Sequence, residues 1–364
     1  MNVPRVYALG NAPLNYLVCH EIASLSVQPR VPELVLLLQD QRKLNRFLEN
    51  ESKLYVRRQD NSRSSSKQYM ASCSPPKYAS GEIAKIDNLI IGETRSPAFV
   101  NALKKYSECI HNDTNVLLLN PGFGVMEQLE QSVWEQKGFV PNIFMGLADL
   151  EQSFLPSEFA MQYSRVRQPL QICSVPKANI SYDYQQDKHN TQVLEGTNNL
   201  LRLMKMLDRE NTFSNIGVAT RPYGDLLLRR YEELIIASCI KPLTALYPEK
   251  GVSENTSLLQ IIRSLVREFT RIIKATDPHL QHIPHFESII DEERLFVLVS
   301  RNLKKRSRSA FSKPTIRDIN QYNGYFMMKA KASGLWCQSN SFIMKCAKAK
   351  LELQQKNATD FRYL

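Results

Sequence analysis

Near the amino terminus, Gly10-Asn11-Ala12-Pro13-Leu14-Asn15 follows a short apolar run at 6–9. A strand that turns at glycines into a helix presents backbone amides to a dinucleotide pyrophosphate, and the turn needs the spacing G-x-G-x-x-G. Only Gly10 is present. Ala12 and Asn15 put a Cβ and a polar side chain at the other two positions, and Pro13 withdraws one amide. The pattern predicts a retained strand–turn–helix without a phosphate cradle and without a cofactor. His279, His282 and His285 have a spacing that could ligate a metal, but Pro278 and Pro284 break the helix that would align them, so loop histidines and no metal are expected. Ser238-Cys239 has no histidine close in sequence and reads as packing rather than as a nucleophile. The stretch Arg63-Ser64-Ser65-Ser66 reads as a solvated loop, with phosphate acceptance as the alternative.

The remaining chemistry is charge. Between Arg301 and Lys350 stand twelve Lys or Arg against one acid, Asp318, and this window alone accounts for the chain's net +11. Such a concentrated field favours a polyanion: RNA, a ribosome or an anionic membrane surface. The densest part holds Arg301, Lys304, Lys305, Arg306, Arg308 and Lys313 around one aromatic, Phe311. These six are the candidate RNA or ribosome contacts; a solvated face on a basic protein explains the same charges. Seven cysteines, an odd number with no C-x-x-C pair, suggest free thiols rather than a disulfide framework or zinc ribbon. No apolar run approaches the roughly 18 to 20 residues needed to cross a bilayer. Residues 1–11 carry one basic residue and run into a strand pattern, unlike a cleavable transit peptide.

Elements must position these groups. With 364 residues, 43% hydrophobic and 23% charged, two globular domains are expected. Apolar runs at 6–9, 34–38, 86–91 and 116–119 alternate with helical periodicity, including a helix from 97 to 109, and predict a doubly wound parallel α/β sheet. The polar, turn-rich stretch 57–81 is expected to be a long surface loop, and 175–190 a second one before a helix from 191 to 208. From Asp225 onward the pattern is helical throughout. The expected division is a Rossmann-like domain over 1–215 and an all-helical domain over 216–364.

The order of these elements resembles the ketopantoate reductase family. Residues 233–246, ending Lys241-Pro242-Leu243-Thr244-Ala245-Leu246, are similar to that family's K-L-x-x-N-x-x-x-N-P-L-T-A-L helix. Residues 318–325, ending Asn323-Gly324-Tyr325, are similar to its T-E-I-x-x-x-N-G-Y stretch. The resemblance implies a helical domain like the C-terminal part of 6-phosphogluconate dehydrogenase. It also implies where catalysis would sit. The family's proton-donating lysine falls on Glu233, its two substrate asparagines on Ala237 and Lys241, and the asparagine of its cofactor loop on Pro121, one residue after Asn120. Only the substrate-side acid is kept, as Asp318. A carboxylate at 233 cannot give the proton that a carbonyl oxygen needs as hydride arrives, so a pseudoenzyme without catalytic residues or cofactor is expected.

Within that group, Pro4-Arg5-Val6-Tyr7, the stretch from Val35 to Leu48, Met70-Ala71-Ser72-Cys73 with Pro75-Pro76, and the terminal Tyr363-Leu364 resemble the yeast mitochondrial translational activators of cytochrome b mRNA. That resemblance implies a matrix-side protein, peripheral to the inner membrane at most. It would act through the message's 5′ untranslated leader and the mitochondrial ribosome. Two other readings stay open: an active NADPH-dependent 2-dehydropantoate 2-reductase with a divergent site, and a ribosome- or membrane-tethered assembly scaffold without direct RNA contact.

Overall fold

In a computed structural model the described residues are 3–61, 63–92, 98–149, 152–155, 157–164, 168–177, 181–210, 213–247, 255–306 and 314–360. They form two units, Met1–Ser181 with Gln185–Tyr223, and Tyr182–Tyr184 with Gly224–Leu364. In the first unit, β1 (Val6–Leu9), α1 (Pro13–Ala23), β2 (Leu34–Leu37) and α2 (Gln41–Glu49) open the chain. They are followed by β3 (Lys53–Arg58), β4 (Ser64–Gln68), β5 (Met70–Ser72), β6 (Asn88–Ile91), α3 (Ala98–Lys105) and β7 (Asn115–Leu119). Next come α4 (Val125–Leu129), a π-helical turn (Glu130–Trp134), α5 (Glu135–Lys137) and β8 (Asn142–Leu147). The unit closes with β9 (Gln152–Phe154), β10 (Ala160–Tyr163), β11 (Leu170–Ser174), α6 (Tyr184–Thr197), α7 (Asn199–Arg209) and β12 (Val218–Thr220).

The main sheet runs β12-β11-β8-β7-β6-β1-β2-β5, and all neighbours are parallel except β11 with β8. Helices cover both faces, so its central strands are near-continuous apolar runs. Alternation shows in the packing instead. Val6, Ala8, Leu117 and Leu119 join one core, and Tyr7, Leu9, Val116 and Leu118 join the other. Because β12 pairs with β11, Val218–Thr220 belongs to this first unit.

Two expectations are corrected. The polar stretch 57–81 is a loop only after residue 72: β4 pairs antiparallel with β3 at the edge of a second sheet, β4-β3-β10-β9, and β5 pairs with β2 in the main sheet. Edge strand β4, three serines followed by Lys67 and Gln68, alternates exposed and half-buried positions, so it needs backbone pairing but no apolar face. Buried Tyr69 is the pivot between the two sheets, and Ser65 Oγ meets the buried His20 Nε2 at 3.0 Å. The second correction concerns the single helix expected over 191–208. It is two helices, broken at Asn198, whose side chain accepts from the Leu200 and Leu201 amides at 3.0 and 3.1 Å and starts α7. The first of them, α6, begins at Tyr184, inside the expected loop; Thr191 is its buried residue, so it has no apolar stripe to read.

The second unit is helical: α8 (Tyr223–Leu246), α9 (Thr256–Thr276), α10 (Phe286–Ile289), α11 (Glu292–Arg306), α12 (Ile316–Ala332) and α13 (Gln338–Asp360). The buried stripe of α9 includes Ile262, Leu265, Val266, Phe269 and Ile273, and Phe269 stacks on Phe326 of α12 with ring centroids 4.0 Å apart. Pro242 lies inside α8. It has no amide for the carbonyl of Ser238, one turn earlier. Asn323 of α12 supplies the missing donor: its Nδ2 lies 2.9 Å from that carbonyl and 2.8 Å from Asn340 Oδ1 of α13. Asn340 Nδ2 donates back to the Asn323 carbonyl at 2.9 Å. The amides of Ser339 and Asn340 are capped in turn by the Glu268 carboxylate of α9, at 3.0 and 2.9 Å.

Replacing Asn323 by Ala is expected to lower stability in urea unfolding by about 2 to 3 kcal/mol, because buried polar partners lose their donor. In a Pro242→Ala background residue 242 regains an amide for Ser238, and the same substitution should cost about 1 kcal/mol less. An equal loss in both backgrounds would show that the carbonyl does not depend on Asn323.

Candidate functional site

The turn after β1 is where a dinucleotide fold would hold its cofactor. Gly10 takes a left-handed φ of 94°, and Ala12 is extended and offers no side-chain cap. Asn11 is half-buried between them. Asn15 is fully buried; its Nδ2 donates to the carbonyls of Leu9 and Gly10 at 3.1 and 2.8 Å. The Cβ expected to spoil close packing here is accommodated from the other side. Gly92, just after β6, donates its amide to Leu9 at 3.1 Å, and a Cβ built on it would stand 2.3 Å from the Cβ of Asn15. The small residue that the packing requires is on the strand instead of the helix.

Two of the first three helical positions of this turn offer no amide to a pyrophosphate. Pro13 has no amide and the Asn15 amide is bound to the Ala12 carbonyl at 3.0 Å, which leaves Leu14 as the one amide among the first three helical residues without a backbone acceptor. At the end of β7, Asn120 has a φ of 44° and its side chain bridges to Ala148, accepting from the amide at 2.9 Å and donating to the carbonyl at 3.3 Å. That bridge ties the ends of β7 and β8 together, next to Pro121.

On α8, Glu233 is exposed and paired with Arg229 one turn earlier at 3.0 Å. Ala237 is half-buried. Lys241 Nζ lies 3.6 Å from Asp318 Oδ1, with both side chains mostly covered. Asp318 Oδ2 also accepts from the amide and hydroxyl of Thr315, each at 2.9 Å, completing a capping box at the start of α12. Lys241 and Asp318, which the sequence places 77 residues apart, are thus an ion pair on the helix that Asp318 helps to start. An ion pair of this kind fixes two helices; it presents neither group as a free acid or base.

Of the six candidate polyanion contacts, Arg301 and Lys304 stand exposed on α11. Lys305 and Arg306 end that helix, and their side chains, like the whole of Arg308 and Lys313, lie outside the described residues. Sequence counting missed a second basic stripe, because its charges are balanced within the chain. Arg263, Arg267, Arg271 and Lys274 recur at helical spacing along the exposed face of α9. Arg263 pairs with Glu293 and lies 4.5 Å from the centre of the Phe296 ring, Arg267 pairs with Glu292, and Arg271 donates to the Trp336 carbonyl at 2.6 Å. Trp336 is 72% exposed and Phe342 70%. Guanidinium groups beside exposed aromatic faces are a combination that can stack unpaired bases.

His279 packs edge-on against Tyr182 with ring centroids 5.5 Å apart, and His285 precedes α10 with a φ of 59°. Among the described residues no cluster of three His, Cys, Asp or Glu could hold a metal, and no helix is long and apolar enough to cross a membrane. Cys239 is fully buried, and burial pushes its thiol up.

Comparison with known proteins decides the family. No family model matches the chain. The chain is 33% identical to the Cytochrome B translational activator CBS2 of Saccharomyces cerevisiae, over 100% of its own length and 99% of that protein's. The chain belongs to the cytochrome b translational activator family. It is also 24% identical to the Probable 2-dehydropantoate 2-reductase of Schizosaccharomyces pombe, with 97% of this chain and 98% of that one aligned. The solved structure of the probable 2-dehydropantoate 2-reductase panE from Bacillus subtilis superposes with a TM-score of 0.63 at 16% identity, covering 95% of this chain and 99% of that one. This activator family member therefore has the reductase fold, a Rossmann-like sheet and a helical C-terminal region.

The relocated glycine is directly testable. Gly92→Ala should cost about 1 to 3 kcal/mol through overpacking against Asn15, and Asn15→Gly should restore most of it. Thermal or urea unfolding of the single and double variants measures both. A Gly92→Ala variant as stable as the parent would refute the steric coupling.

Proposed function

We propose that this chain activates translation of cytochrome b mRNA in mitochondria, acting through the 5′ untranslated leader and the mitochondrial ribosome, on a reductase-shaped scaffold that carries out no reduction. The full-length identity to a cytochrome b translational activator carries this reading. Three features support the absence of catalysis. Glu233 stands where the reductases place a proton-donating lysine, and it is paired with Arg229. Ala237 and Lys241 replace the substrate asparagines, and Lys241 is held by Asp318. Pro121 replaces the cofactor-loop asparagine, while Pro13 and Asn15 withdraw two amides from the Gly10 turn.

Contact with RNA or ribosome is assigned to the basic surfaces of the helical unit. Arg301 to Lys313 supplies the charge that neutralises phosphates, and α9 with Trp336 and Phe342 supplies guanidinium and aromatic planes. Attachment to the inner membrane, in this reading, is peripheral.

Loss of the chain should abolish synthesis of cytochrome b, read by pulse-labelling of mitochondrial translation products, and leave the other products labelled. Reversing Lys304, Lys305 and Arg306 to Glu should weaken binding to the leader or to mitochondrial ribosomes by about tenfold or more at low salt. Unchanged binding would remove these residues from the interface. Titration with NADPH, followed by nicotinamide fluorescence with ketopantoate present, should show neither binding nor oxidation. Saturable binding with turnover would establish the reductase reading instead.

A further inference from the structure

Three strands of the main sheet begin with asparagine. Asn88 opens β6, Asn115 opens β7 and Asn142 opens β8, and the parallel register sets them side by side. Asn115 Nδ2 donates to Asn88 Oδ1 and to Asn199 Oδ1, each at 2.9 Å. Its Oδ1 accepts from Asn198 Nδ2 at 2.7 Å and from Asn142 Nδ2 at 3.4 Å. Asn88 Nδ2 then donates to the carbonyl of Arg5 at 3.2 Å. The five amides form one directional chain, so each oxygen and nitrogen is fixed by its neighbours.

This network buttresses a cavity of about 300 Å³ at the amino ends of the central strands β1 and β6, at the other end of β1 from the Gly10 turn, lined among others by Arg5, Asp87, Asn199, Arg202, Leu203 and Met206. Asn199 gives its oxygen to Asn115, which leaves its amide nitrogen as a donor. The Arg202 side chain has no ion-pair or hydrogen-bond partner among the described residues. Arg5 is anchored at the rim by its carbonyl and by its Nε, 2.8 Å from Glu33. Asp87 is a largely exposed carboxylate, 3.7 Å from Lys85. Leu203 and Met206 make an apolar wall on α7.

We infer that this cavity binds a guanine base. A bare anion is disfavoured by Asp87, a metal by the single carboxylate, and a purely apolar ligand by two guanidinium groups. The lining sets an apolar wall beside one carboxylate, one amide nitrogen and two guanidinium groups, which suits a partly apolar ligand that carries both donors and acceptors. Guanine has both: N1–H and the exocyclic amine face a carboxylate, and O6 and N7 accept from an arginine fork. The volume lies at the small end of ligand sites and suits one base rather than a dinucleotide. The base can come from a free nucleotide or from an unpaired residue of RNA, whose edges are open to such contacts. The RNA source rests on the reading of the chain as an activator of a message.

Fluorescence anisotropy of the full chain with labelled decauridine, and with the same decamer carrying one central guanosine, tests the site. The guanosine decamer should bind about tenfold more tightly, near the lower part of the range for a bidentate base contact. Asp87→Asn should erase that preference. Arg202→Ala should weaken the guanosine decamer by about tenfold and leave decauridine nearly unchanged. GMP should compete and UMP should not. Thermal stabilisation by GMP but not by UMP, without any preference between decamers, would support the base site with a free nucleotide as occupant. Equal affinity for both decamers in all three proteins, with no effect of GMP, would overturn the site; measurable decauridine binding would leave the RNA reading standing. If no oligonucleotide binds and GMP has no effect on protein stability, both the site and direct RNA contact are refuted.

Discussion

Proline at position 242 removes the amide that would have closed the helical bond to the Ser238 carbonyl, and Ser238 is fully buried. A buried acceptor left without a donor costs about 1 to 3 kcal/mol, so a helix carrying this proline is stable only beside a side chain that supplies the bond. Asn323 does so, and the position it must occupy has consequences. Its amide also meets Asn340, Asn340 meets the Asn323 backbone, and the first turn of α13, which holds Asn340, is capped by Glu268. One missing amide thereby fixes the mutual placement of α8, α9, α12 and α13. The same constraint explains why the two sequence segments that most resemble the reductases, around Pro242 and around Asn323, occur together. They are the two halves of one hydrogen bond, and neither needs catalysis to account for it.

Burial on both faces made β1, β2, β6 and β7 readable as short apolar runs, and the stripe of α9 made its helix readable. Elements without a buried face were not readable. Strand β4 is held by backbone pairing at an edge, and α6 is largely solvated, so neither leaves a hydrophobic period in the sequence. The amide network was illegible for a different reason. Asn88, Asn115 and Asn142 are each 27 residues from the next, an unremarkable interval until parallel register makes them neighbours. Charge counting found Arg301 and Lys304 but not the stripe on α9, whose arginines are balanced by acids elsewhere.

The Gly10 turn keeps a strand–turn–helix geometry with only the first of the dinucleotide motif's three glycines. Close approach of a helix to a strand requires that one partner lack a Cβ, and the requirement belongs to the pair rather than to either residue. Here Asn15 carries the side chain and Gly92 carries none. The exchange alters the chemistry more than the fold. An asparagine that turns inward to bind the carbonyls of Leu9 and Gly10 stiffens the turn, whereas a glycine would leave the backbone open to a phosphate. A scan for glycines reports a broken site; the packing reports a turn rebuilt for rigidity.

The two edges of the main sheet consequently differ in what their polar groups have left to offer. At the carboxyl ends of the strands, where open α/β sheets ordinarily bind ligands, Asn15 and Asn120 use their amides to tie neighbouring backbone. At the amino ends, Asn115 satisfies its neighbours, Asn199 keeps a donor, and Arg202 keeps a whole guanidinium group. A long charged side chain without a partner retains its rotamer entropy until something binds it, so leaving it unpaired costs the free protein little and leaves binding free energy for a ligand. In the reading proposed above, the fold of a reductase serves a binding role without new elements. It requires only that the polar side chains which close one end of the sheet be matched by side chains left open at the other.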